Sequence, residues 1–80
     1  MDIDRITERF LIDEILFGSR TSIDPNESLV TSGIVDSLAL LRLVTYLEDQ
    51  FSVTFEHDEV IPDNFETINA IKTLVESKRQ

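Results

Sequence analysis

The stretch "DSLALLRLVTYLEDQF", residues 36–51, places apolar residues on two opposite faces of a predicted helix. At 100° per residue, one face carries the i, i+3, i+4, i+7 stripe of a buried helix side, namely Leu40, Leu43, Val44, Leu47 and Phe51. The other face carries Leu38, Leu41 and Thr45, interleaved with Arg42 and Asp49. A core needs only the first stripe, so the second indicates an apolar docking surface rimmed by charge. The alternative is that a neighbouring loop covers Leu38 and Leu41.

The residues before this helix predict one further helix and a long loop. We expect the first helix from Asp2 to Phe17, with Gly18 as its stop. Its apolar side is predicted to hold Ile3, Ile6, Phe10 and Phe17, broadened by Leu11, Ile12, Ile15 and Leu16. Residues 19–36 are rich in Ser, Thr, Pro, Asn and Gly and predict a long ordered loop. The apolar residues expected to hold that loop in place are Ile23, Leu29, Val30, Ile34 and Val35.

Capping residues define the other predicted helices. Asp36 is the natural N-cap of a helix from Ser37 to Phe51, because its carboxylate can accept first-turn amide hydrogens. A one-turn helix is predicted near Asp58 to Ile61 and ended by the following proline. Thr67 is predicted to cap the last helix, whose apolar residues are Ile68, Ile71, Leu74 and Val75. The sequence therefore predicts an all-α fold, a small antiparallel four-helix bundle with a short third helix.

Composition narrows the classes of function. The 80 residues make one domain, residues 1–80, that is too small to enclose a large active-site cavity. The absence of cysteine removes disulfides, thiolate nucleophiles and cysteine-ligated metals. The N-terminal residues carry no signal peptide and no apolar run that could enter a membrane, so we expect a cytoplasmic monomer.

The net charge of −9 is unevenly distributed. Seven acids and no lysine or arginine lie between Glu48 and Glu66. Such a surface repels phosphate backbones, which argues against a nucleic-acid partner, and attracts basic patches on proteins. The alternative is a solvated face that only keeps the domain soluble. His57 lies among Glu56, Asp58 and Glu59, but this run lacks the spacing of a calcium loop, so we predict a solvated histidine and no metal site.

Ser37 is the candidate functional residue. A serine nucleophile needs a general base held by a third group, and the chain has a single histidine and no G-x-S-x-G turn, so hydrolysis is disfavoured. A hydroxyl at the N-terminus of a helix is instead suited to modification, since a phosphate there is favoured by free amides and the macrodipole. The alternative is a serine that only starts a helix.

The sequence resembles the acyl carrier protein family, including its peptidyl and aminoacyl carriers. The matching residues are Leu29, Gly33, the Asp36-Ser37-Leu38 triplet, Leu47-Glu48-Asp49 with Phe51, and Phe65-x-Thr67-Ile68. With the helical first segment they span nearly the whole chain.

The resemblance implies that Ser37 receives a 4'-phosphopantetheine group from coenzyme A, and that the thiol of this arm carries an acyl or aminoacyl group. The chain would then be a carrier, not an enzyme, and itself the substrate of a phosphopantetheinyl transferase. An acyl- or aminoacyl-activating (adenylating) enzyme would load it, and acyltransferases or condensing enzymes would unload it. The implied partner face is Asp36, Leu38, Leu41, Arg42, Thr45, Glu48 and Asp49.

Two positions depart from the fatty-acid branch of that family. The residues two and five after the modified serine are typically acidic there, whereas here they are Ala39 and Arg42. A positive charge at position 42 should weaken the binding of partners that present arginines there. We therefore expect a carrier of a specialised pathway. The remaining alternative is an unmodified acidic docking domain of the same fold.

Overall fold

The computed structural model describes residues 2–79, and within them the chain forms helices and no strands. This confirms the predicted all-helical class. Three helices carry the architecture: α1 (Ile3–Phe10), α2 (Ser37–Phe51) and α3 (Ile68–Lys78). A π-helical turn (Leu11–Ile15) extends α1, and two 3₁₀ helices (His57–Glu59 and Pro62–Phe65) lie between α2 and α3.

The core lies where α1 packs against α3, and the buried side of α2 contributes to it. From α2 it takes Leu43, Leu47 and Phe51, as predicted, whereas Leu40 and Val44 are only half-buried at its edge. Phe10 stacks on Tyr46 with ring centroids 4.2 Å apart and joins α1 to α2. No helix within residues 2–79 is both long and apolar enough to cross a bilayer.

The end of the first helical segment differs from the prediction. Asp2 is the N-cap and the helix begins at Ile3. After Phe10 the helix changes to π-helical hydrogen bonding, in which an amide bonds to the carbonyl five residues earlier. The Leu16 amide, for example, donates to the Leu11 carbonyl at 2.9 Å. Each such bond adds a residue to the turn, so the helix face rotates away from the regular 3.6-residue stripe.

Phe17 was therefore wrongly predicted to lie on the core face. It adopts a left-handed conformation with φ 53° and is 81% exposed, because the helix has already ended. Gly18 follows with φ 76°, and its amide donates to the Ile12 carbonyl at 2.8 Å. The helix therefore ends before the predicted glycine stop, and the first left-handed residue after it is Phe17, with Gly18 continuing the turn.

The carboxylate of Glu66 anchors the loop that precedes α2. It accepts hydrogen bonds from the Ser28 hydroxyl at 2.6 Å and from the Val30 and Thr31 amides at 3.2 Å. The Glu66 carbonyl accepts the Leu29 amide at 2.7 Å. Four consecutive loop residues are thereby bound to one residue that lies just before α3. These bonds fix the position of the loop from which the chain enters α2.

Apolar burial holds the same loop from within. Ile23, Leu29 and Val35 are buried, and Val30 and Ile34 are half-buried against the core, as predicted. The Ile23 amide donates to the Glu8 carboxylate at 2.7 Å, which ties the loop to α1.

The segment between α2 and α3 corrects a second prediction. In place of one short helix near Asp58 to Ile61 there are two 3₁₀ helices, and Pro62 begins the second one instead of ending the first. A proline at the first helical position loses nothing, because its missing N–H would have no intrahelical partner there. The predicted cap of α3 is confirmed, with the Thr67 hydroxyl accepting the Ala70 amide at 3.0 Å.

Truncation of a buried α2 residue should destabilise the fold. Leu47→Ala is expected to lower the free energy of unfolding by about 2–5 kcal/mol, because the side chain is fully buried and leaves a cavity. Leu41→Ala is the matched control on the opposite face and should change it by less than about 0.5 kcal/mol. Urea unfolding followed by circular dichroism measures both. An equal cost for the two variants would contradict the assignment of the faces.

Replacement of the loop anchor should also lower stability, in a pH-dependent way. Hydrogen bonds from Ser28 and then Thr31 hold the pKa of Glu66 below its usual value. A carboxylate with a lowered folded-state pKa stabilises above its unfolded pKa, and that contribution is lost as pH falls through the folded value. Glu66→Gln should therefore lower Tm at pH 7 and flatten the decline of Tm in acid, since its NH₂ group cannot accept the loop amides.

The control for this measurement is Glu76→Gln, an exposed glutamate of α3. It should leave Tm at pH 7 nearly unchanged. A Glu66→Gln variant with the Tm profile of the wild type from pH 3 to pH 7 would show that the anchor is dispensable.

Candidate functional site

Ser37 is the first residue of α2, and its side chain is exposed. The Asp36 carboxylate accepts the Ala39 amide at 2.8 Å, which confirms Asp36 as the N-cap. The amides at the start of a helix have no intrahelical acceptor, so those of Ser37 and Leu38 remain available at the positive end of the macrodipole. The hydroxyl is thus placed at an accessible point that favours negative charge.

The second apolar face of α2 is open to solvent. Leu38 is 68% exposed and Leu41 is 61% exposed, so the preceding loop does not cover them. Thr45 is exposed one turn further along, and its hydroxyl donates to the Leu41 carbonyl at 3.0 Å. The sequence prediction of an apolar, solvent-facing stripe beside Ser37 is confirmed; its use by a partner stays a prediction.

Arg42 lies on this face and reaches the end of the first helical segment. Its guanidinium donates to the Glu14 carbonyl at 3.1 Å and to the Glu14 carboxylate at 3.4 Å. Both side chains remain about half exposed. The contact orients Arg42 without burying its charge. Sequence reasoning did not find Glu14, because 28 residues separate the pair and no local pattern links them.

The two acids at the far end of the face differ in their surroundings. Glu48 is half-buried, and its carboxylate accepts the Phe55 amide at 2.9 Å, which helps to turn the chain after α2. Asp49 is exposed. Of the two predicted partner residues, Asp49 has the freer carboxylate, whereas Glu48 also has a structural task.

Ala39 does not share the exposed face. It is buried, on the side of α2 turned towards the end of α1. Ala39 is thus part of the packing of this chain. Of the two departures from the fatty-acid branch, only Arg42 changes the charge of the exposed face.

A cleft of about 410 Å³ separates the start of α2 from the end of the first helical segment. Phe17, Ile34 and Leu38 line it, together with Arg42. Neither Phe17 nor Ile34 was assigned to the site from the sequence. A signal in the sequence was the glycine at position 18, which favours a turn at the end of the first helical segment.

His57 is exposed at the start of the first 3₁₀ helix. Among residues 2–79, no group of three or more His, Asp or Glu side chains is arranged to hold a metal ion.

These residues fit a phosphopantetheine arm. The arm needs an accessible hydroxyl for its phosphodiester, an environment that favours the phosphate charge, and an open surface where enzymes can reach its tip. Ser37 supplies the hydroxyl, the start of α2 supplies the favourable field, and the exposed face supplies the open surface.

Comparisons with known proteins identify the family. Residues 14–75 match the family described as "Phosphopantetheine attachment site". The chain is also similar to the "Probable acyl carrier protein PigG" of Serratia sp. (strain ATCC 39006), with 32% identity over 63 residues. That match covers 79% of this chain and 72% of the relative. These matches favour a modified carrier over an unmodified docking domain. The chain therefore belongs to the phosphopantetheine attachment family of acyl carrier proteins, and its cofactor is a covalent 4'-phosphopantetheine.

Proposed function

We propose that this protein carries an acyl or aminoacyl group on a 4'-phosphopantetheine arm attached to Ser37 and passes it between enzymes. The observation that carries the proposal is the exposed hydroxyl at the first residue of α2, within the residues that match the attachment family. When bound, the arm supplies a thiol that holds the cargo as a thioester. The absence of cysteine from the chain is consistent with this division of labour.

The residues of the chain hold and present the attachment point. The N-cap bond of Asp36 fixes the first turn of α2, so the Ser37 hydroxyl has a defined position for the transferase. The amides of that turn favour the charge of the phosphodiester. On the N-terminal side of Ser37, Glu66 and the buried Leu29 hold the preceding loop in place. We propose that the domain is a carrier-type four-helix bundle in which two 3₁₀ helices take the place of the short third helix.

The partners are proposed from the exposed face and the net charge. A phosphopantetheinyl transferase, an adenylating enzyme that loads the arm, and acyltransferases or condensing enzymes that unload it would meet Leu38 and Leu41 at the centre of the contact. Asp36, Thr45, Glu48 and Asp49 would lie around them. A carrier must leave each partner, so we expect transient, salt-sensitive contacts. Arg42 supports a dedicated carrier of a specialised pathway, because it opposes partners that present arginines.

Replacement of the attachment residue tests the carrier function. The purified protein is incubated with coenzyme A and a broad-specificity phosphopantetheinyl transferase, and its intact mass is measured. Wild type should gain the mass of one phosphopantetheine, and Ser37→Ala should gain none. Ser22→Ala, which removes an exposed hydroxyl of the preceding loop away from the residues that Glu66 binds, is the matched control and should be modified like wild type. Wild type that stays unmodified beside an active control carrier would contradict the proposal.

The exposed leucines should govern how fast the modification occurs. The double change Leu38→Ser and Leu41→Ser removes apolar contacts from the surface without touching the core, so Tm should stay within about 2 °C of wild type. The initial rate of modification at limiting transferase should fall at least about tenfold, the effect of losing roughly 1.4 kcal/mol of contact energy. An unchanged rate would show that partners do not use this face.

A further inference from the structure

Two clefts lie along the side of the domain where the first helical segment meets α2, and Arg42 lines both of them. The first is the cleft lined by Phe17, Ile34 and Leu38. The second has a volume of about 550 Å³ and is lined by Leu41, Thr45, Asp49 and the stacked rings of Phe10 and Tyr46. We call the two together the Arg42 furrow.

Phe17, at one end of the furrow, has an uncommon backbone conformation and an exposed ring. A bulky side chain with φ near +53° is uncommon, because the left-handed residue that follows a helix is usually glycine. The ring is also 81% exposed, so burial does not offset the steric cost of that conformation in the free protein. An aromatic ring held in this way gains apolar contact only when another surface covers it.

Arg42 marks the centre of the furrow with a positive charge. Its guanidinium has five N–H donors, and the hydrogen bonds to Glu14 use two groups of the planar fork. The Arg42 side chain stays 43% exposed, so its other N–H groups can be reached by a second acceptor. A carboxylate is the group that such a fork binds best, because two parallel N–H···O bonds can form.

We propose that the Arg42 furrow receives one amphipathic helix of a partner enzyme, and that this helix carries a carboxylate between two apolar side chains. The inference rests on the proposed carrier function and names the chemistry of the partner. One apolar side chain enters the cleft beside Phe17, and the other covers the rings of Phe10 and Tyr46. The carboxylate binds Arg42.

The spacing of the clefts favours a helix as the occupant. Leu38 in the first cleft and Thr45 in the second are seven residues apart on α2, or about 10 Å at 1.5 Å per residue. A partner helix lying alongside α2 meets both clefts with residues i and i+7, and residue i+3 or i+4 between them lies on the same face. The order apolar, acidic, apolar therefore matches the furrow.

Charge explains why this acid would select among partners. The protein has a net charge of −9, so its surface as a whole attracts basic partners. Arg42 places a positive charge at the centre of the docking face, in an exposed ion pair with Glu14 that a partner's acid can share or replace. A partner with a basic rim and a central acid satisfies both conditions, whereas a partner with arginines throughout places like charges together at Arg42.

Two helical peptides test the proposal. Both are Ala-rich, with leucine at positions i and i+7, and they differ only at i+3, which is Glu in one and Lys in the other. Each is titrated into ¹⁵N-labelled protein that has first been modified with phosphopantetheine. Wild type should bind the Glu peptide about two- to fivefold more tightly, the range expected for an exposed ion pair. The shifted amides should be those of the furrow.

Variants separate the charge from the apolar contacts. Arg42→Gln should abolish the preference, and Arg42→Glu should reverse it. Phe17→Asn, which suits the left-handed backbone, should weaken both peptides alike. Ile61→Asn removes another exposed apolar side chain that lines neither cleft, and should change neither affinity. Equal affinities of the two peptides for wild type, no measurable binding of either, or shifts located on α3 would overturn the proposal.

The result is independent of the outcome for Ser37. If the protein is modified but the peptides do not discriminate, the furrow proposal fails and the carrier function stands. If the protein is never modified, the carrier function fails, and the same titration on the unmodified protein still decides whether Arg42 selects an acidic helix.

Discussion

The Glu66 carboxylate is the constraint on which the position of the functional residue depends. A loop of some twenty residues has no preferred path of its own, and ordering it costs conformational entropy at every residue. Here a single side chain just before α3 accepts one hydroxyl and two amides of that loop, while its backbone accepts a third amide. Leu29 is buried at the same point. Residues 28–31 are therefore held in a fixed position, and the short segment from them to Ser37 starts from there.

α2 both completes the core and presents an exposed apolar surface, because different residues lie on its two opposite sides. The buried side joins the core through Leu43, Leu47 and Phe51, and the open side leaves Leu38 and Leu41 in water. The chain has no cysteine, so the reactive thiol comes with the prosthetic group, while the protein supplies the attachment site and an exposed apolar surface beside it. Changes on the open side can then alter recognition without loss of the fold.

Local signals were enough to predict much of this structure. The bounds of α2 and the caps Asp36 and Thr67 depend on periodicity and on side chains three residues from their amides, which a sequence displays directly. The contacts that escaped prediction join distant residues, such as Glu66 with Ser28 and Arg42 with Glu14. Phe17 was misplaced because the π-helical turn breaks the regular period, and no residue pattern before it announces that change.

The burial of Ala39 has a consequence for how such surfaces diversify. Position 42 is exposed, so its side chain can be replaced without changing the core, whereas the methyl group of Ala39 is buried beside the cleft that Arg42 also lines. A longer side chain at position 39 would have to leave the packed side of α2 for that cleft, whereas a new side chain at position 42 already projects from the exposed face. Recognition by a different set of enzymes is therefore more readily altered at position 42 than at position 39.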